Sequence, residues 1–224
     1  MPLTIAMDGP VGAGKSTIAD AVAEKLNILH LDTGAMYRAV GLGVMDKGGD
    51  IYNEEEVCSL LENELSITVA YENGAQKTLL CGEDVSSRIR TQEAGTAASA
   101  VSRYAGVRTK MVALQQEIAK SQPILMDGRD IGTVVLPDAT VKIYLTASDE
   151  ERATRRMNQL REKGDNTPFE TILAEVRARD YQDMNREVTP LRRADDAILV
   201  DSSHMTFDET VQHILNLVEE RYAE

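Results

Sequence analysis

Leu3-Thr4-Ile5-Ala6-Met7-Asp8 runs directly into Gly9-Pro10-Val11-Gly12-Ala13-Gly14-Lys15-Ser16-Thr17. The first six residues are a short apolar run stopped by glycine, the pattern of a buried parallel strand. Beyond the loop, apolar residues recur at Ile18, Ala21, Val22 and Leu26, which is helical spacing. Gly9 to Ser16 satisfies G-x-x-x-x-G-K-[ST] at every fixed position, and the strand before it and helix after it are the context that pattern requires. Glycines let such a backbone wrap a phosphate, with N–H groups and a helix dipole aimed at the anion. Lys15 is positioned to reach β- and γ-phosphates, and the Ser16 hydroxyl to ligate Mg²⁺. Residues Gly9, Pro10, Val11, Gly12, Ala13, Gly14, Lys15, Ser16 and Thr17 are therefore expected to bind ATP.

Outward from the loop the chain continues as alternating strands and helices. Strands are expected over 28–32, 123–127, 141–145 and 197–201, and helices over 15–26, 35–47, 93–121, 149–163, 168–185 and 207–222. Asn53 with Glu56 is a capping pair for a shorter helix. The stretch from about Glu64 to Arg90 changes character: Ser66 to Tyr71 alternates, Asn73-Gly74 signals a hairpin turn, and Lys77 to Cys81 returns as a strand. The pattern predicts an α/β fold: a five-stranded parallel sheet of the P-loop NTPase type covered by helices, with a small antiparallel insert and a helical lid. The chain reads as one domain over 1–224. Its core falls at about 1–35, 91–147 and 187–224, its insert at about 36–90, and its lid with flanking helices at about 148–186.

Composition narrows the partners. With no Trp and two Phe, the core must be aliphatic. Cys58 and Cys81 are too few for a disulfide framework and lack metal-ligand spacing. No apolar run approaches bilayer length, and the first strand starts too early for a leader, so a cytoplasmic setting is expected. A net charge of −13 argues against nucleic acid or an anionic membrane as partner. A nucleotide ligand then needs positive charge gathered locally, and arginines outnumber lysines sixteen to eight. Their planar fork suits bidentate phosphate contact.

The loop alone leaves the class open. A GTPase should carry N-K-x-D, which is absent, and an ATPase of the motor kind should carry a glutamate after its second acidic strand. Here Asp127 is followed by Gly128, Arg129 and Asp130. A kinase of small metabolites remains. Two further strand ends carry candidate acceptor groups at the carboxyl edge of the sheet. One is Asp32-Thr33-Gly34-Ala35-Met36-Tyr37-Arg38; the other is Asp127-Gly128-Arg129-Asp130. In the second, the arginine can bind a phosphate while an aspartate orients a base or a metal. Arg152, Arg155 and Arg156 lie on one face of a charged helix. They read either as a salt-bridged surface or as part of a mobile lid over the triphosphate.

These motifs, with R-D-x-x-D-x-N-R over Arg179 to Arg186 and D-G-R-D-x-G-T-V-V over Asp127 to Val135, resemble those of the bacterial cytidylate kinases. The resemblance runs the length of the chain and includes the hairpin insert, which resembles the enlarged acceptor-binding region of that family. Ser16-Thr17 stands where many relatives have Gly-Thr, and either form keeps a hydroxyl beside the lysine. The resemblance implies γ-phosphoryl transfer from ATP, with Mg²⁺, to CMP or dCMP. It places Arg38 and Arg129 on the acceptor phosphate with Tyr37 lining the pocket, and Ser99, Arg108 and Asp130 on cytosine. Arg179 and Asp183 fall near the ribose with Arg186 ending that motif, and Thr33 and Asp127 join the acceptor set. Lys15, Arg129, Arg152, Arg155 and Arg156 are the expected catalytic cations, in a monomer. An adenylate, uridylate or non-nucleotide kinase and a non-catalytic nucleotide sensor are the rival readings.

Overall fold

The computed structural model describes residues 2–222. The strands are β1 (Thr4–Asp8), β2 (Leu29–Asp32), β3 (Ile67–Glu72), β4 (Ala75–Leu80), β5 (Glu83–Asp84), β6 (Ile124–Gly128), β7 (Val141–Thr146) and β8 (Ile198–Asp201). The helices are α1 (Lys15–Leu26), α2 (Thr33–Asp46), α3 (Glu54–Asn63), α4 (Gln92–Val101), α5 (Ala105–Ala119), α6 (Asp149–Glu162), α7 (Phe169–Asn185) and α8 (Phe207–Tyr222). A five-stranded sheet runs in the order β2-β6-β1-β7-β8, and a three-stranded one in the order β3-β4-β5. The expected α/β class and the antiparallel insert are both present.

The chain divides into two compact units, Met1–Ile28 with Pro123–Glu224, and Leu29–Gln122. In the first, β1 pairs in parallel with β6 and β7, and β7 with β8. β1 is central and its last four residues are buried, as an apolar strand covered on both faces should be. Ile5, Met7, Leu125, Ile143 and Leu145 pack with Ile18 and Val22 of α1 and Val211 and Ile214 of α8. The ends of β1, β6 and β7 thus open at one edge, where the loop Gly9 to Gly14, the segment from Arg129 and the start of α6 follow.

In the second unit β3 and β4 form the expected hairpin around Asn73-Gly74, whose φ angles of 52° and 80° suit an Asn-Gly turn. The short β5 extends it, pairing Leu80 with Glu83. The expected helix 93–121 is two helices broken at Ser102–Tyr104, and α2 starts at Thr33, two residues early, because the Asp32 carboxylate caps it through Ala35 N–H at 3.0 Å.

Candidate active site

The phosphate loop is shaped by what surrounds it. A side chain at Gly9 would fall inside the van der Waals radius of the Leu145 carbonyl oxygen, so only glycine lets the loop leave β1 past β7. Gly12 and Gly14 take left-handed φ of 76° and 84°. α1 has no side-chain cap and no acid in its first turn, a condition α5 shares, but only α1 follows a glycine loop. An uncapped helix N-terminus behind a glycine loop suits a bound phosphate. Lys15 is buried, and its Nζ donates to the Pro10 carbonyl at 2.8 Å. Burial, aided by the Arg129 charge, lowers its pKa to about 7. The Ser16 hydroxyl hydrogen-bonds Asp127 Oδ2 at 2.9 Å, joining the loop to the end of β6.

Beyond β6, Arg129 Nε donates to Asp183 Oδ2 at 2.8 Å and its Nη1 to the Gly128 carbonyl at 3.2 Å. Asp183 also takes Arg179 Nε at 3.4 Å, within one helical turn of α7. Burial would push the Asp183 carboxyl up, but Arg129, Arg179 and Arg186 outweigh it and hold it below the usual carboxylate range. Arg186 lies 3.7 Å from Asp130 as a buried pair. Six residues expected on the acceptor side, Asp127, Arg129, Asp130, Arg179, Asp183 and Arg186, thus interlock within one unit, beside Lys15.

The sequence reading passed over Asp8. Its buried carboxylate accepts Ile131 N–H at 2.8 Å and Gly132 N–H at 2.7 Å, holding the π-type turn Ile131–Val135 that follows Asp130. Burial raises its pKa to about 6 against those two bonds, and the Asp130 charge raises it further. The available signal was an ionisable residue ending a buried strand directly before the loop.

The three arginines of α6 diverge. Arg152 is buried, donating to the Ala147 carbonyl at 2.9 Å and the Val11 carbonyl at 2.8 Å, and pairing with Asp149 and, at 2.6 Å, Asp180. Arg155 reaches Glu151 at 3.0 Å and the Ser202 carbonyl at 2.8 Å. Arg156 lies close enough to Asp165 to help Thr167 hold that carboxyl low. Arg152 and Arg155 are thus held in ion pairs, as a salt-bridged helix requires.

In the second unit, Arg38 pairs with Asp32 at 2.5 Å. Gln76 of β4 accepts the Asp32 N–H at 2.7 Å and donates to its carbonyl at 3.3 Å, so the insert grips the start of α2. Gln76 was not singled out from sequence, and Asp32 entered only as the first residue of its motif. Tyr37 and Arg108 are both buried, with the guanidinium carbon 5.4 Å from the ring centroid. Arg108 Nη1 donates to the Ser102 carbonyl at 3.2 Å, and Ser102 Oγ to that of Ser99, also at 3.2 Å. Thr33 and Ser99 are buried.

A glycine loop between the central strand and an uncapped helix, a lysine and serine at its end, and a carboxylate from the next strand on that serine define a P-loop kinase. One solved structure with a similar fold, an uncharacterized protein from Eubacterium ventriosum, aligns with a TM-score of 0.52 at 11% identity, covering 98% of this chain and 99% of its own. The chain belongs to the cytidylate kinase family, whose family model matches residues 5–220. It is 48% identical to a cytidylate kinase of Caldicellulosiruptor saccharolyticus over 96% of this chain and 95% of the relative. The corresponding values for one from Bacillus licheniformis are 46%, 98% and 97%.

Proposed function

We propose that this chain transfers the γ-phosphoryl group of ATP to CMP and dCMP, giving ADP with CDP or dCDP. The observation that carries the reading is the 46–48% identity, over nearly the whole chain, to proteins named cytidylate kinase. The interlocked Lys15, Asp127, Arg129 and Asp183 support the chemistry.

An oxygen of the acceptor phosphate attacks the γ-phosphorus in line. The new P–O bond forms as the bond to the β–γ bridging oxygen breaks, and ADP carries away the electron pair. The acceptor phosphate is already ionised near neutral pH, so no side chain need take a proton. Catalysis is positioning and charge neutralisation. Gly9 to Thr17 hold the donor phosphates and Lys15 neutralises the β- and γ-oxygens. Arg38 and Arg129 are assigned to the acceptor phosphate, with Tyr37, Thr33 and Asp127 in the acceptor set; Ser99, Arg108 and Asp130 are assigned to cytosine, and Arg179, Asp183 and Arg186 to the ribose. Arg155, once its pair with Glu151 opens, and Arg156 meet the transferring phosphoryl, and Arg152 acts from the outside of the phosphate loop.

The Ser16 hydroxyl and Asp127 carboxylate are hard oxygen donors suited to Mg²⁺ held mainly by substrate phosphates, and they would hold it here. When bound, such an ion would supply positive charge against the donor phosphates. The working division is a core at about 1–35, 91–147 and 187–224, an acceptor insert at about 36–90, and a lid at about 148–186. The protein acts as a cytoplasmic monomer; no helix among the described residues is long and apolar enough to cross a membrane.

The test is ADP release with a panel of nucleoside monophosphates. Turnover with CMP and dCMP far above UMP and AMP is expected. Preference for AMP or UMP would overturn the substrate assignment, and ATP binding without turnover would favour a nucleotide sensor.

A further inference from the structure

Asp180 belongs to the R-D-x-x-D-x-N-R motif but has no role in the mechanism above. It is buried on α7, and both carboxylate oxygens are engaged. Oδ1 accepts the Val11 N–H at 3.2 Å, and Oδ2 pairs with Arg152 Nη1 at 2.6 Å. Arg152 Nη1 also donates to the Val11 carbonyl at 2.8 Å. The two side chains therefore hold the N–H and the C=O of one residue in the phosphate loop.

The consequence follows from the planar trans peptide, whose N–H and C=O point in opposite directions. No cis bond interrupts the described residues. With the Val11 N–H turned onto Asp180, the Pro10 carbonyl must face the other way, and there it takes the Lys15 ammonium at 2.8 Å. With the Val11 carbonyl turned onto Arg152, the Gly12 N–H must face away from Arg152. Two successive peptide planes of the loop are thus oriented from outside it. The Val11 side chain adds a third tether, packing against the apolar cluster Ala153, Ile172 and Val176 between α6 and α7.

We propose that Asp180 is a positioning residue for phosphoryl transfer: acting with Arg152 on the Val11 peptides, it keeps the Pro10 carbonyl on Lys15 and the Gly12 N–H facing away from the helix pair, so that the phosphate loop is shaped before ATP arrives. This rests on the assignment of Gly9 to Thr17 to ATP. It also makes α6 and α7 mechanical partners of the loop, since displacing the helix pair releases both peptide planes together.

Asp180→Ala should weaken binding of β,γ-imido-ATP and lower kcat/KM for ATP by about ten- to a hundredfold, the range for losing a charge-assisted hydrogen bond in a preorganised site. KM for CMP should stay within about twofold. Asp180→Asn keeps an acceptor for the Val11 N–H, so it should recover part of the loss, and it carries the test if the alanine variant does not fold. An Asp180→Ala protein that melts earlier but keeps its ATP affinity and kcat would overturn the proposal. So would equal losses toward ATP and CMP, or an Asp180→Asn protein indistinguishable from wild type. If wild-type protein binds the ATP analogue but phosphorylates no nucleoside monophosphate, the substrate assignment fails, while the analogue affinities still decide the role of Asp180.

Discussion

Burial holds the Lys15 ammonium well below its ordinary range, so nucleotide binding is expected to take up a proton. Its pKa of about 7 reflects burial first and the Arg129 charge second, partly offset by Asp127, Asp183 and Asp8. A triphosphate brings several negative charges to the ammonium and should return its pKa to the ordinary lysine range, near or above the unperturbed value of about 10.4. At pH 8 the free site is then about one-tenth protonated and the complex fully so, an uptake of ~0.9 proton; at pH 6 uptake falls to ~0.1. The affinity should accordingly fall toward about tenfold per pH unit above pH 7. The same shift fixes the sign of a stability effect in the free protein. The folded pKa lies below the unfolded one, so between about 7 and 10.5 the unfolded chain binds more protons and stability rises with pH. Below that window the buried charge opposes folding by on the order of 4–5 kcal/mol, at about 1.4 kcal/mol per unit. Titration calorimetry of β,γ-imido-ATP in buffers of different ionisation enthalpy measures the uptake directly. Lys15→Arg, charged at every pH used, is the control and should abolish the pH 8 uptake. No uptake at pH 8, or equal uptake in Lys15→Arg, would refute the reasoning.

Gly9→Ala forces a methyl group into the Leu145 carbonyl oxygen, and neither backbone can yield cheaply. A loss of about 3 kcal/mol or more is expected, read as a lower urea midpoint; an unchanged midpoint would contradict the packing argument. Asp183→Ala strips the counter-charge from Arg129 and Arg179 in a buried site, with an expected cost of about 3–5 kcal/mol in denaturant unfolding. A loss below about 1 kcal/mol would show that solvent already screens the pair. Asp130→Ala should lower the CMP-to-UMP ratio of kcat/KM by at least about tenfold, as expected where a buried polar group reads an exocyclic amine. An unchanged ratio in steady-state assays would remove Asp130 from base recognition.

What the sequence made legible is what its local chemistry controls. The phosphate loop needs glycines at fixed positions because its own backbone takes unusual angles, so the pattern survives in one dimension. The hairpin was equally plain, because Asn73-Gly74 supplies its left-handed turn locally. The break at Ser102–Tyr104 was not, since no proline or glycine marks those positions and both flanking stretches read as helix. The turn at Ile131–Val135 looks like an apolar run, and its shape is imposed by Asp8, more than a hundred residues earlier. Asp180 was visible only as a letter in a motif. Its partners are Arg152 on α6 and Val11 at the other end of the chain, and nothing in its neighbourhood announces either.

The same contacts explain how a chain of net charge −13 can be built around anions. A guanidinium buried without a counter-charge would cost several kcal/mol before any ligand arrived. Four of the arginines assigned here come with an aspartate already on them: Arg38 with Asp32 at 2.5 Å, Arg129 with Asp183 at 2.8 Å, Arg152 with Asp180 at 2.6 Å and Arg186 with Asp130 at 3.7 Å. All four of those aspartates sit in motifs that also hold acceptor arginines, so the sequence carries the neutralising groups along with the cations. On the proposed assignment, a phosphate reaching Arg129 or Arg38 would share or exchange a partner instead of filling an empty cationic hole. That limits the affinity gained for the ground state, while charge that develops only during transfer still meets guanidiniums held in place. Interactions that strengthen on the way to the transition state are the ones that raise kcat. The aspartates keep the cations folded, oriented and only moderately attractive until the phosphoryl group moves.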